Sequence, residues 1–396
     1  MKPWPTKTLG EIATVIRGVS FDKSQVSDEP RKNSIPILRA GNIQDSLITD
    51  SDLVYVPEDL VSEEQRMSRG DLAICMSSGS PAIVGKTAHL VSDWCGSVGA
   101  FCAIVRFKVD FNHRFGSYWF HSPVFLQWRD NNAKGANIQN LRRTELEKLP
   151  IPVPPLSEQE QIVKLLDEAD ELRKLRAHAD RRTAALIPAL FHEMFGDPMT
   201  NLLRLPLNKL GSLCKVVGGG TPSKKQSSYW TGKIPWVSPK DMSGDEVHDS
   251  EDHISEQAIK ESATNLIPAG SILVVTRSGI LKRMLPIAIN SVPVTINQDI
   301  KAFIPASECE ATFLAAQLRI LSPTILGAVR VGATVQNLET DFLKQLPVLQ
   351  PSLSLQNEFA RRVAEIRELE AGQAAGRARL NALFQSMLHR AFRGEL

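Results

Sequence analysis

Residues 135–159 read GANIQNLRRTELEKLPIPVPPLSEQ, and residues 332–356 read GATVQNLETDFLKQLPVLQPSLSLQ. The two stretches align without a gap, 197 positions apart, sharing Gly-Ala, Gln-Asn-Leu, Leu-Pro and a final Leu-Ser-x-Gln. Self-similarity over such a distance marks a duplicated domain and has to be read before any short motif. The match continues upstream. KTLGEIATVIRG (7–18) parallels NKLGSLCKVVGG (208–219), IPIL at Ile35 parallels IPWV at Ile234, and RGDLAICMSSG (69–79) parallels AGSILVVTRSG (269–279). The last two are apolar runs ending in Ser-Gly, the pattern of a buried strand entering a loop.

Each copy thus has a globular part rich in strand signals, a proline-punctuated connector and a long helical signal with few prolines. The expected fold is α/β (α+β), with two tandem modules at residues 1–150 and 199–347. Each is followed by a connector and helix, at residues 151–198 and 348–396.

Composition excludes several classes. With 42% hydrophobic and 23% charged residues the chain reads as globular, and its length of 396 residues calls for more than one core. No apolar run approaches the roughly 18 residues of a membrane span, and the first residues lack the apolar centre of a signal peptide, so a cytoplasmic protein without membrane contact is expected. Five cysteines (Cys75, Cys95, Cys102, Cys214 and Cys309) form no CxxC and are expected as reduced thiols. The eight histidines show no metal-ligand spacing, so no metal is expected.

In the first helix Ser157 and Glu160 form a capping-box pattern after the prolines. From there Ile162, Leu165, Ala169, Leu172, Arg176, Ala179, Thr183, Leu186 and Leu190 recur at spacings of three and four. Adding 197 gives Phe359, Arg362, Ile366, Leu369, Gln373, Gly376, Leu380, Leu383 and Met387 in the second helix. A shared heptad seam with small residues predicts that the two helices pair as an antiparallel coiled coil, against the plainer alternative of two amphipathic helices each packed on its own module. Six basic and nine acidic residues between Leu156 and Pro198, against seven and five between Ser352 and Leu396, favour pairing modestly. About 38 residues at about 1.5 Å each give a rod of at most about 57 Å. Pro188 should bend the first helix.

Two similar modules at the ends of a rod suit two half-sites on one face of a duplex whose groove repeats every ~34 Å. Divergent modules imply a split, asymmetric target. Candidate contacts in the second module are Gly219, Gly220, Thr221, Ser223, Lys224, Lys225, Tyr229, Trp230 and Lys240, with Arg277 and Ser278 at a strand end. In the first they are Arg17, Ser20, Lys23, Arg39, Asn42, Ser77, Ser78 and Lys86. Lysines position on phosphate, whereas Arg and Asn can read base edges. Gly219 and Gly220 let backbone approach either DNA or the module's own sheet. The repeated Gln139-Asn140 and Gln336-Asn337 suit a turn or a cap better than the reading of two different sequences. GGGTPSKK departs from a Walker loop. Asp299-Ile300-Lys301, the single acidic-x-Lys triplet of nuclease type, lacks a second acidic partner and reads as a strand edge.

GGGTPSKKQSSYWTGKIPWVSPKDM (218–242), with GATVQNL, LPVLQPSLSLQ and the first copy's LPIPVPPLSEQEQIVKLLD, resembles the specificity (S) subunit of type I restriction-modification systems over essentially the whole chain. The first module departs from it, with IRGVSFDKSQVSD (16–28) where the Gly-Gly-Thr-Pro-Ser pattern would stand. The resemblance implies two target recognition domains, each binding one half of a bipartite site in double-stranded DNA, joined by a coiled coil. It further implies two modification subunits that bind S-adenosylmethionine and methylate adenine, docked along the helices, and a restriction subunit for ATP-dependent translocation and cleavage. The chain itself would then hold no cofactor and catalyse nothing. The alternatives are the recognition subunit of a related methylase-nuclease fusion system, and a scaffold that joins proteins without DNA.

Overall fold

The computed structural model describes residues 4–135, 138–330 and 335–396. They divide into two compact units, one comprising the chain up to Ala177 together with Ala375–Leu396, the other His178–Ala374. Each unit therefore holds one copy of the duplicated module and a part of both long helices.

In the first unit the strand Leu72–Cys75, buried at every residue, lies between Cys102–Phe107 and Thr87–His89, and Ala13–Arg17 completes a four-stranded antiparallel sheet. A smaller sheet sets Ser34–Leu38 antiparallel to Val54–Pro57 and parallel to Ser97–Val98. The second unit repeats both orders. Cys214–Gly218, Ile300–Pro305, the fully buried Ile272–Val275 and Ile287–Asn290 are adjacent in turn, and Glu246–Val247 adds a fifth strand. Ile234–Val237 pairs antiparallel with His253–Ile254 and parallel with Thr295–Ile296. The apolar runs picked out by the repeat are the central strands, as their continuous hydrophobicity requires.

The proline-rich stretches are more than connectors. Pro150–Pro152 pairs antiparallel with Thr6–Thr8, and Pro347–Leu349 with Leu207–Lys209, so each module's last strand is tied to its own first. Two-stranded ribbons have two free edges, which is where a proline lacking an N–H can sit. Immediately afterwards the final glutamine of each repeat is buried. Gln159 Nε2 donates to the Pro154 carbonyl (2.9 Å) and its Oε1 accepts from the Asn112 N–H (2.9 Å). Gln356 does the same, donating to Pro351 (2.9 Å) and accepting from Glu310 N–H (2.9 Å). Asn112 and Glu310 are the N-caps of the module helices His113–Trp119 and Ala311–Ile320. One amide thus joins the start of each long helix to the start of a module helix.

The first long helix runs Leu156–Ala184 and, after a break at Ala185, Leu186–Phe195; the second is continuous over Leu353–Ala391. The break lies three residues before Pro188, whose ring cannot tolerate the Ala184 carbonyl in helical position. The helix begins two residues earlier than the capping-box reading, with Glu158 as its first residue, allows. The Pro155 carbonyl accepts the N–H groups of Glu158 (2.9 Å) and Gln159 (3.0 Å), which leaves Ser157 inside the first turn.

The seam needs correcting at five leucines. Ile162, Ala169 and Leu190, with Phe359, Ile366, Leu380 and Met387, are buried or half-buried as expected, but Leu165, Leu172, Leu186, Leu369 and Leu383 are 41–54% exposed. The covered stripe keeps Thr183 and otherwise passes through Leu166, Arg173, Ile187, Val363 and Phe384. Within the first unit the helices are antiparallel. Arg173 donates to Asn381 (2.9 Å) and lies 4.4 Å from the Phe384 ring, while the earlier Ile162 and Leu166 share a core with the later Leu388 and Ala391. Tyr118 and Arg114 of the module both bond Asp167 of the helix, the tyrosine at 2.6 Å. Within the second unit Phe191 and Phe195 pack on Phe359, at 5.7 and 5.6 Å between centroids, and Phe313 of the module closes the cluster.

This placement separates seam from surface. Phe384→Ala should cost ~3–5 kcal/mol, whereas Leu172→Ser should leave stability within about 0.5 kcal/mol. Denaturant melts of the two variants measure the contrast, and equal effects would restore the original heptad assignment.

Candidate nucleic-acid interface

In the second module the glycines are fixed by packing. A Cβ on Gly219 would lie 2.1 Å from the Ile296 and Asn297 carbonyl oxygens, and one on Gly220 would lie 2.8 Å from the Ala263 carbonyl. Gly18, the repeat counterpart of Gly219, meets the Gly99 carbonyl in the same way at 2.1 Å. The glycines therefore serve the module's own sheet. Beyond them Thr221 Oγ1 donates to Gln298 (2.6 Å) and Asp299 Oδ1 accepts from Arg277 Nε (2.7 Å). The segment Ile296–Asp299 thus gathers Gly219, Gly220, Thr221 and Arg277 along one edge.

The neighbouring aromatics build a satellite core. Tyr229 and Trp230 are half-buried against Trp236, Ile254 and Ala258; the tyrosine hydroxyl donates to Glu261 (2.7 Å), and Trp230 Nε1 to the Ser223 carbonyl (3.3 Å). Both rings, read from the sequence as candidate contacts, are committed to the module's own satellite core. Lys224 sits 5.9 Å from the centroid of Trp230, and Lys225 is exposed. Lys240 differs. It contacts Glu251 (2.8 Å) and Asp252 (3.1 Å), which hold its pKa above the usual lysine range and balance its charge locally. Ser278 is bound into a turn, accepting from Ile280 N–H (3.4 Å) and donating its own N–H to the Gln336 carbonyl (3.2 Å).

In the first module Ser20, Arg39, Ser77 and Ser78 line one cleft of about 560 Å³ together with Phe21, Phe101 and Ile138. Phe101 and Ile138 are 68% and 54% exposed. Arg39 is held by Asp52 (3.0 Å) at half exposure. Arg17, Lys23 and Lys86 are exposed but do not line the cleft. Asn42 is a correction, since it is buried with its Oδ1 accepting from Arg39 N–H (2.8 Å) and its Nδ2 donating to the Ile48 and Ser51 carbonyls. No edge of that amide is left for a base.

The Gln-Asn pairs hold loops. Gln139-Asn140 forms a short strand against Ser78-Ser77, and Asn337 bridges Arg277 and Arg330. The Gly332 that opens the second GATVQNL lies outside the described residues. The sequence reading missed Phe101, Gln298 and the role of Asp299. The acidic triplet was the available signal for Asp299, and its use is to orient Arg277.

The architecture is that of a protein with two tandem modules of one strand order, each followed by a long helix. The sequence pattern of the Type I restriction modification DNA specificity domain matches residues 1–180 and 207–373, and the chain belongs to that family. Among curated relatives it is 36% identical over 164 residues to the Type I restriction enzyme EcoKI specificity subunit of Escherichia coli K12, covering 41% of this chain and 35% of that one. It is 35% identical over 252 residues to the EcoR124I/EcoR124II specificity subunit of Escherichia coli, covering 61% and 60%. These matches span 35% and 60% of the relatives' own length, in each case less than two thirds. Among solved structures, the fold resembles a chain described under complex assembly and conformational transition of the type I R-M system, with TM-score 0.62, 18% identity and 100% and 99% of the two chains covered. It also resembles the type I restriction-modification S subunit from M. genitalium, with TM-score 0.53, 15% identity and 98% and 96% covered.

The glycine assignment is directly testable. Gly219→Ala should destabilise the protein by about 1–3 kcal/mol without any DNA present. Unchanged stability with lost DNA binding would instead place the glycine at a DNA contact.

Proposed function

We propose that this chain is the non-catalytic sequence-recognition subunit of a type I restriction-modification complex, each module reading one half of a bipartite, asymmetric duplex target. The observation that carries the reading is the repetition of one strand order in two modules whose exposed edges differ: Ser77, Ser78 and Phe101 in one, Arg277, Ser278 and Asp299 in the other. Identical frameworks with different side chains at one edge are what two independent readers of two sequences require.

Modification subunits, two in number, are proposed to dock along the long helices. The leucines outside the seam, Leu165, Leu172, Leu186, Leu369 and Leu383, support this, because apolar side chains exposed at helical spacing suit burial by a partner. S-adenosylmethionine belongs on those subunits and ATP on a restriction subunit in this proposal, with this chain contributing selection and geometry. No helix among the described residues is long and apolar enough to cross a membrane.

Exchanging residues 205–347 for the corresponding module of another family member should change one half of the target, read by mapping methylated adenines in the host; changes in both halves would contradict independent reading. Leu172→Asp combined with Leu383→Asp should abolish co-purification of the modification subunit while the melting temperature stays the same. Retained co-purification would move the docking surface elsewhere.

A further inference from the structure

The two modules can be compared at one backbone position without superposition, because their hydrogen bonds coincide. Cys75 pairs with Cys102 in the first sheet and Val275 with Ile300 in the second. One residue before the second strand of each pair, the Phe101 carbonyl accepts the N–H groups of Met76 (2.8 Å) and Ser77 (3.1 Å). The Asp299 carbonyl accepts those of Thr276 (2.8 Å) and Arg277 (3.1 Å). Ser77 and Arg277 are thus equivalents, as are Phe101 and Asp299, and in both copies the asparagine of the Gln-Asn pair lies across the loop.

The side chains on this shared frame have opposite chemistry. In the second module Asn297 Nδ2 donates to Asp299 Oδ2 (3.1 Å), and Asp299 Oδ1 accepts from Arg277 Nε (2.7 Å). The guanidinium is therefore held by one edge, and among the described residues its two Nη groups take no protein acceptor. The Arg277 side chain is 53% exposed. A guanidinium with one edge fixed presents two N–H donors side by side, the complement of guanine O6 and N7 in the major groove. In the first module the same position carries a small hydroxyl and an aromatic ring, 68% exposed, that lines the cleft. An apolar group at a base edge meets the C5-methyl of thymine.

We propose that Arg277, oriented by Asp299, reads a guanine in the half-site of the second module, and that Phe101 at the equivalent place in the first module contacts a thymine methyl. This assignment rests on the recognition reading above and adds base identity to it. Asp299 acts as a positioning residue, through Arg277.

The test is selection of duplexes from a randomised library by the complex purified from its host through a tag on the full chain, with thermal melts of each variant alongside. The unsubstituted chain should select a split motif. Arg277→Ala and Arg277→Lys should each lose roughly 5- to 150-fold discrimination for guanine at one position of one half, leaving the other half and the melting temperature unchanged. Asp299→Asn should weaken discrimination at that same position. Joint Ser77→Arg and Phe101→Asp substitution should replace a thymine by a guanine at one position of the other half. A split motif whose guanine preference survives Arg277→Ala, or a first half-site unmoved by the joint substitution, overturns the assignment alone. No motif from the unsubstituted chain overturns the recognition reading and this assignment with it.

Discussion

Everything in this protein depends on how firmly a small module is fastened to a long helix. The fastening is a buried glutamine. Gln159 and Gln356 each use one amide to join the turn that starts a long helix to the N-cap of a module helix. A buried amide in that place has no alternative partner in water, so breaking the joint costs its full desolvation, ~1–3 kcal/mol. Around each glutamine the aromatic cores complete the seat, Phe115 and Tyr118 in the first unit and Phe313 in the second. A module seated in this way cannot swivel on its helix without exposing apolar rings.

Much of this was legible in the sequence, because duplication doubles every signal. The apolar runs, the Leu-Gly starts and the Leu-Pro strands recur in register, and both copies form the same sheets. The latch itself was visible as the last identical residue of the strongest repeat, although a lone glutamine carries no periodicity to draw attention. The helix seam was misread at its five exposed leucines for a physical reason. Spacings of three and four can be satisfied by two neighbouring stripes, and apolarity alone selects the one through Leu165 and Leu172. The structure buries the other, where Arg173 lays its guanidinium on Phe384 and bonds Asn381. The gain from that stacked, hydrogen-bonded arginine depends on a partner over 200 residues away, which no local pattern encodes.

The contact residues divide along similar lines. Side chains proposed for their chemistry alone, such as Asn42, Tyr229 and Lys240, were claimed by neighbours within the module. Those placed by the repeat, at the strand end after the central apolar run, came together at equivalent edges. Position in a duplicated frame was a better guide than residue type, since the frame fixes where divergence can be tolerated without loss of fold.

The central proposal is that firm seating converts helix length into distance between the two halves of a DNA target. Its most direct test removes one heptad from the middle of each long helix, residues 174–180 and 374–380, and measures the spacer in the selected target. Seven residues at about 1.5 Å each shorten the pair by about 10 Å, or about three base pairs at the axial rise of B-DNA. The account predicts a spacer contracted by about that amount with both half-sites unchanged; an unaltered spacer in a folded, DNA-binding variant would contradict it.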